Sequence, residues 1–289
     1  MTTHRSISIS VCICTRNRPA ELSRALSSIA TAGSQPHEVI VSDDSTNDVT
    51  RRLLAAEFPG IIHIEGPRRG LGANRNTVLR RATGTHILFI DDDVLLGSDF
   101  LEEAQAVLAQ APATTILSGI ELNHGKPVHP HRTTFLGYQA IDYHAGDILE
   151  TVVINATVFP KTLFSDALFD ENLVYGCEEM DIASRAVFLH GHHILFRPTL
   201  TNAHLPSLAN RDFYAPFMEA SRIYVMFKRY FWVERRPAKA AMFLALAYTH
   251  ILAHDLRRRG PSGVCAFAST MVRSLSYMRL CWQDPKRYL

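Results

Sequence analysis

The sequence predicts an α/β fold: a mostly parallel central sheet flanked by helices, followed by a C-terminal helical appendage. Three observations carry this. Up to about Leu117, short apolar runs alternate with helical stretches, the pattern of a parallel sheet covered on both faces. Polar residues crowd each strand-to-helix junction, and in a parallel sheet these junctions lie along one edge, at the carboxyl ends of the strands. Beyond about Leu205 the pattern shifts to long helices rich in Ala, aromatics and Arg. The expected division is a first domain over 1–205 and a helical segment over 206–289.

Residues 7–14 form the first expected strand, 38–42 the second, 61–65 the third and 86–90 the fourth. Each is a short apolar run bounded by polar residues. Between them, helices are expected over 20–30 behind Pro19, over 48–57, and over 74–82 ending near Gly84. Residues 123–146, with their His, Pro and Gly, read as irregular loop, and 151–155 as an apolar strand. A helix over 178–190 and a strand over 193–196 follow. In the C-terminal segment, helices are expected over 213–232, over 238–256 and after Gly260-Pro261.

Composition narrows the class. A chain of 289 residues with 47% hydrophobic and 20% charged content is ordinary for a folded globular protein. The formal net charge of +2 does not imply nucleic acid, and no nucleic-acid motif accompanies the basic tail. Cys12, Cys14, Cys177, Cys265 and Cys281 form no disulfide framework and read as free thiols in a reducing compartment. The first ten residues lack a secretory apolar stretch, and no run reaches the roughly 18 residues of a membrane span. A cytoplasmic location is expected.

Asp91-Asp92-Asp93, directly behind Ile87-Leu88-Phe89-Ile90, is the most informative motif. Three adjacent carboxylates repel one another unless a cation relieves them, so the triplet reads as a hard-metal site that in turn holds a phosphate. Thr15-Arg16-Asn17-Arg18-Pro19 offers donors where a nucleotide could lie, or simply a capped loop. Asp43-Asp44-Ser45 offers an acceptor for a base or ribose, or a helix cap. Gly70-Leu71-Gly72 begins like a dinucleotide fingerprint but follows the third strand and lacks its final Gly, which disfavours a dehydrogenase. Arg75, in the first turn of a helix, can pair with a phosphate or with the Asp triplet. Glu178-Glu179-Met180-Asp181 opens a helix, where negative charge is favoured, and Glu178 or Glu179 beside apolar neighbours suits a general base. His204 is a candidate metal ligand, since imidazole suits Mn-like ions, with a structural histidine as the alternative.

Taken in order, the first strand with Thr15 to Pro19, then Val39 to Ser45, Gly70 to Asn76, Phe89 to Asp93, and Gly176 to Asp181 resemble a family 2 glycosyltransferase with a GT-A fold, over residues 7–204. The resemblance implies that Asp44 contacts the nucleotide base and that Arg75 lies near the donor, with Thr15, Arg16 and Asn17 at the nucleotide. It also implies that Asp91, Asp92 and Asp93 supply the DXD motif. Asp93 would touch the metal, Mn²⁺ or Mg²⁺, with Asp91 and His204 as further ligands, while Asp92 or Asp91 lies near ribose. Glu179 stands where the family places its base, usually Asp, with Glu178 helping to hold acceptor. Arg16 and Cys14 depart from the family's frequent Tyr and Pro.

The implied reaction is a single displacement with inversion from a nucleoside-diphosphate sugar, UDP first among the nucleotides. The acceptor would be a saccharide, a lipid-linked saccharide or a small molecule, the product a polysaccharide, glycolipid or glycosylated metabolite. Arg222, Lys228 and Arg229 among aromatics, and Arg257-Arg258-Arg259 behind an apolar helix, suit peripheral contact with an anionic membrane, here the inner face of the cytoplasmic membrane; core or dimer packing is the alternative. Two other readings compete. A non-catalytic sugar-nucleotide module or membrane-docking scaffold would not need the second acidic cluster. A phosphohydrolase using Asp91 and Asp93 would want Thr or Gly closely after the second Asp, where Val94-Leu95-Leu96 stands.

Overall fold

Alternate residues of the apolar runs fall into two different cores, as strands buried on both faces require. In a computed structural model, which describes residues 6–206 and 211–289, Ile9, Val11 and Ile13 of β1 (Ile9–Thr15) join one cluster and Cys12 the other. Leu88 and Ile90 of the strand at His86–Asp91 divide from Ile87 and Phe89 in the same way.

The chain order is β1, α1 (Pro19–Ala30), β2 (Glu38–Asp43), α2 (Val49–Glu57), β3 (Ile62–Glu65), α3 (Leu71–Arg81), β4 (His86–Asp91), β5 (Val94–Leu95), α4 (Phe100–Gln110) and β6 (Thr115–Asn123). Short strands β7 (Lys126–Val128), β8 (Arg132–Thr133) and β9 (Gln139–Ile141) follow, then β10 (Thr157–Pro160), α5 (Leu163–Asp166), α6 (Glu178–Phe188) and β11 (His193–His204). The chain ends in α7 (Arg211–Lys228), α8 (Pro237–Arg259), α9 (Gly263–Gln283) and α10 (Pro285–Tyr288). One sheet of nine strands runs β3-β2-β1-β4-β10-β6-β11-β5, with β7 on β6. Its first four strands pair in parallel, β10 lies antiparallel between β4 and β6, and β11 runs parallel to β6.

The expected strands and helices of the first half are present with ends shifted by at most three residues. Two segments differ. Residues 151–155 do not join the sheet: the chain crosses it in extended form, turns once in a 3₁₀ turn at Ile154–Ala156, and only then pairs as β10. The apolar run is buried all the same, since Val152 and Val153 pack into opposite cores. The strand expected over 193–196 instead extends to His204, passing a register shift between Phe196 and Thr201.

A third core joins the C-terminal helices to the loop and helix that carry Leu173 and Met180. Here the cations of α7 turn inward. Lys228 is fully buried, its Nζ 2.8 Å from both Asp170 Oδ2 and Asp181 Oδ1. Tyr224 donates its hydroxyl to Asp170 (2.5 Å), and Arg185 donates to Asp181 (2.9 Å). Arg229 pairs with Glu150 at 2.6 Å, and Arg222 donates to the Leu136 carbonyl. Tyr224 and Tyr230 are core residues, while the Phe213 side chain lies outside the described residues. The basic residues Arg222, Lys228 and Arg229 are therefore interior packing with buried pairs, and not a solvent-facing stripe.

Lys228→Met leaves Asp170 without its cation and should cost about 3–5 kcal/mol of unfolding free energy, the typical penalty for stranding a buried charge, read by urea denaturation at neutral pH. Burial raises the Asp170 pKa, but the charge and hydrogen bond of Lys228 outweigh it and hold the carboxyl below its ordinary value. The stability this contributes is present above the unfolded value near ~3.9 and lost as pH falls through the folded one. The acid-unfolding midpoint should therefore move upward in the variant.

Candidate active site

The polar junctions do meet along one edge. β1 and β4 pair so that Cys14 lies opposite Asp91, and β1 and β2 so that Thr15 lies opposite Asp43. Adjacent parallel strands ending in register therefore deliver Thr15, Asp43 and Asp91 to the same rim.

The three aspartates have different surroundings. Asp91 is the most open, its side chain 36% exposed. Asp92 turns inward, accepting from Thr15 Oγ1 at 2.8 Å and from Arg18 Nη1 at 2.6 Å. Burial pushes its pKa up to about 7 despite the cation, because Arg18 is itself partly exposed and its charge is screened. Asp93 accepts from Arg18 Nη2 at 2.7 Å and lies 3.1 Å from His204 Nε2. Burial opposes its ionisation, yet these two donors prevail and hold it at about 2.

His204 reaches the triplet because β11 runs on to pair with β5 just past it, His204 opposite Val94. Its Nδ1 donates to Glu121 Oε1 at 2.7 Å. Burial lowers the imidazole pKa, but the hydrogen bonds to Asp93 and Glu121 outweigh that and push it up to about 10. Asn155 completes the frame: Oδ1 accepts from the Asp91 N–H (2.9 Å), and Nδ2 donates to Asp91 Oδ2 (3.2 Å) and Glu121 Oε2 (2.9 Å). Donor atoms of Asp91, Asp93 and His204 all lie within 4.8 Å of one another. Two carboxylates and one imidazole suit a Mn²⁺-like ion once Nε2 releases its proton, and the Nδ1–H bond to Glu121 holds the tautomer whose Nε2 would then face the ion, as around metal-bound histidines. The residues fit a divalent cation. A second trio, His129, His131 and Asp142, lies on the connector between β7 and α5, its imidazoles stacked at 4.2 Å.

Around this centre, Asn17 and Ser45 lace two junctions together. Asn17, at a positive φ of 56°, receives the Thr46 N–H on Oδ1 at 3.0 Å and donates its own N–H to Ser45 Oγ at 2.8 Å. Asp44 is buried, which raises its pKa, and accepts the Arg68 N–H at 2.7 Å; exposed Arg16 acts on it through charge. A Cβ on Gly66 would collide with the Asp44 carboxylate, so only glycine lets the third junction approach.

The second acidic cluster opens α6. Gly176 and Cys177 both take positive φ, 92° and 67°, turning the chain so that Glu178 and Glu179 fall in the first helical turn. Glu178 is buried and accepts the Gly176 N–H at 3.0 Å, while Glu179 is only partly buried. Burial raises both pKa values. Arg75 links the clusters. Only 3% exposed, it sits 3.4 Å from Asp91 Oδ1 and over the rings of Phe169 and Phe89, and its charge acts on Glu178 and Glu179. Its Nη1 is buried without a partner.

The structure thus gathers Asp91, Asp93 and His204, sets Arg75, Glu178 and Glu179 beside them, and uses Thr15 and Asn17 as braces. Sequence reasoning missed Arg18, Glu121 and Asn155 as members of the site. Arg18 was readable inside its own motif; Glu121 and Asn155 join only through the antiparallel insertion of β10.

The architecture is that of the GT-A glycosyltransferases. The crystal structure of GalNAc-T7 with UDP, GalNAc and Mn²⁺ matches 88% of this chain and 58% of its own, with a TM-score of 0.64 at 15% identity. The mannosyltransferase PcManGT from Pyrobaculum calidifontis, in complex with GDP-Man and Mn²⁺, matches 99% of this chain and 83% of its own (TM-score 0.56, 19% identity). Within that class, residues 10–172 match the sequence profile of Glycosyl transferase family 2, and the chain belongs to that family. The succinoglycan biosynthesis protein ExoM of Rhizobium meliloti (strain 1021) is 27% identical over 128 residues, 42% of this chain and 41% of that relative.

Asn155→Ala strands the Asp91 N–H and a Glu121 oxygen and should cost about 1–3 kcal/mol, the usual penalty for unpaired buried polar groups. Urea unfolding measures it; a change below about 0.5 kcal/mol would mean that the frame does not need the amide.

Proposed function

We propose that the protein is an inverting glycosyltransferase that moves a sugar from a nucleoside-diphosphate sugar, UDP first among the nucleotides, to an acceptor hydroxyl. The observation that carries this is Arg75, which contacts Asp91 of one acidic cluster and acts on Glu178 and Glu179 of the other. Displacement at an anomeric carbon needs a cationic site for the leaving diphosphate and a separate base for the acceptor, close to each other. The Mn²⁺ in the GalNAc-T7 and PcManGT structures supports the same use here.

Asp91, Asp93 and His204 would hold the divalent ion, Mn²⁺ or Mg²⁺. When bound, it would supply electrostatic relief for the charge on the leaving diphosphate. The unpaired Nη1 of Arg75 is ready to donate to a donor phosphate. Asp44 receives the nucleotide base, with Arg16 and the Thr15 to Asn17 turn beside it and Asp92 behind. Glu179 is the base. Glu178 is buried and already accepts the Gly176 N–H, so it positions the turn, whereas the more open Glu179 can meet an incoming hydroxyl.

The acceptor is a saccharide, a lipid-linked saccharide or a small molecule, and the location is cytoplasmic, at the inner face of the membrane. No helix among the described residues is long and apolar enough to cross a membrane. Peripheral contact would use exposed Arg257, Arg258 and Arg259 with Met242, Leu246 and Leu256 of α8.

Calorimetric titration with UDP, dTDP and GDP, each with and without Mn²⁺, tests the reading. One diphosphate should bind in a metal-dependent way, and Asp93→Ala should remove the metal dependence; equal affinity with and without the ion would exclude the metal assignment. Glu179→Gln should keep nucleotide binding and lose at least about 10²-fold in transfer, the contribution of a general base. Because burial raises Glu179, the acid limb of the pH–rate profile should lie above the ~4.3 of an ordinary Glu and vanish in Glu179→Gln.

A further inference from the structure

A groove of about 580 Å³ opens between α9 and the loop leading to Glu178, lined by Val174, Ala268, Val272, Arg273, Ser276 and Tyr277. That volume is typical of a small-ligand site, as is an apolar wall with few polar groups. Its position ties it to the acids. Val174 lies four residues before Glu178, its carbonyl accepts the Leu71 N–H at the start of α3 (3.3 Å), and the charge of Glu178 reaches Tyr277.

Arg273 and Tyr277 supply the charged and polar groups of the groove. Tyr277 is 7% exposed and its hydroxyl is hydrogen-bonded to Arg273, whose guanidinium forms no ion pair with a carboxylate among the described residues. A cation without a counter-charge beside an apolar wall favours an anionic group on the ligand. The Arg273 guanidinium lies over the Phe217 ring, 4.1 Å from its centre, which holds the cation in place without neutralising it. From the groove an apolar stripe continues along α9: Val264, Val272 and Leu275 are 49%, 65% and 45% exposed, with Ala268 between them at helical spacing.

We propose that this groove is the acceptor subsite and that it takes an amphiphilic acid, with Arg273 and Tyr277 binding the acidic group and Val174, Ala268 and Val272 the hydrocarbon beside it. A cation at one end and an apolar stripe running away from it match a head group and a chain. A phosphate and a carboxylate share the chemistry that Arg273 reads. The proposal rests on the transferase reading, since it gives the groove to the second substrate.

The test is a calorimetric titration of the full chain with dodecyl phosphate, dodecanoate, dodecyl glucoside and inorganic phosphate, the amphiphiles kept below their micelle points. Dodecyl phosphate or dodecanoate should bind at least about tenfold tighter than dodecyl glucoside or inorganic phosphate, a charge-assisted pair being strong enough for that ratio; which acid leads separates a phosphate from a carboxylate acceptor. Arg273→Gln should lose the preference, and Val272→Glu, on an exposed position, should weaken the amphiphiles and leave the fold intact. Equal binding of dodecyl glucoside and the acids, or unaltered binding in both variants, overturns the proposal. Nucleoside-diphosphate binding with Mn²⁺ is measured on the same samples. Its absence in the wild type refutes the donor reading, while its retention in Arg273→Gln shows that a lost acid preference belongs to the groove.

Discussion

Carboxylates gathered at one sheet edge set the terms for everything around them. Parallel strands ending in register bring Asp43, Asp91, Asp92 and Asp93 to the rim, and β6 and α6 add Glu121, Glu178 and Glu179. Left alone, such a group would neutralise itself by taking up protons. The chain instead threads cations between the acids: Arg18 between Asp92 and Asp93, His204 between Asp93 and Glu121, Arg75 between Asp91 and the α6 pair. Each cation comes from a different element, so the charge pattern also fixes how α1, α3 and β11 sit against β4.

The same logic operates one layer deeper, where Lys228 closes Asp170 and Asp181 against the C-terminal helices. Asp181 lies one turn inside α6, two residues after Glu179. Anchoring Asp181 therefore sets the rotation of the helix that presents Glu179. A buried pair of this kind contributes little net stability against an apolar equivalent, so its use is better sought in the orientation it imposes. Gly176 and Cys177, with their positive φ, act at the other end of the same problem by fixing where the helix starts.

Much of this was legible in the sequence, and the limits follow a physical line. Central parallel strands are buried on both faces, so residues 87–90 and 39–41 announce themselves as unbroken apolar runs. The run at 151–155 is just as apolar and equally buried, but burial alone does not pair a backbone; the ladder begins only at Thr157, where β10 inserts between β4 and β6. The α7 pattern left core packing and membrane contact both open for a related reason. Helical spacing of Tyr224, Lys228 and Arg229 says which residues share a face, and whether that face meets lipid or protein depends on Asp170, Asp181 and Glu150, far away in the chain. Asp91, Asp93 and His204 could be proposed as one site from residue type and a family pattern; the partners that orient them, Asn155 and Glu121, could not, because neither belongs to a local motif.

Asp93 and the two glutamates of α6 behave oppositely, and their surroundings explain the difference; Asp92, buried and served by a partly exposed cation, sides with the glutamates. Asp93 meets Arg18 and His204 directly, so its carboxylate is held ionised well below the ordinary range. Glu178 and Glu179 have less direct pairing; the Arg75 charge reaches them, but its closest contact goes to Asp91, and their pKa values rise. A carboxylate that stays charged is suited to a cation, and one that accepts a proton more readily is suited to taking it from a hydroxyl. Unequal placement of the cations thus separates Asp93 from Glu178 and Glu179 within one cleft, without changing the chemistry of the side chains. The guanidinium of Arg75, held by the faces of Phe89 and Phe169, gives its closest contact to Asp91, and this leaves Glu178 and Glu179 the less directly paired acids of the cleft.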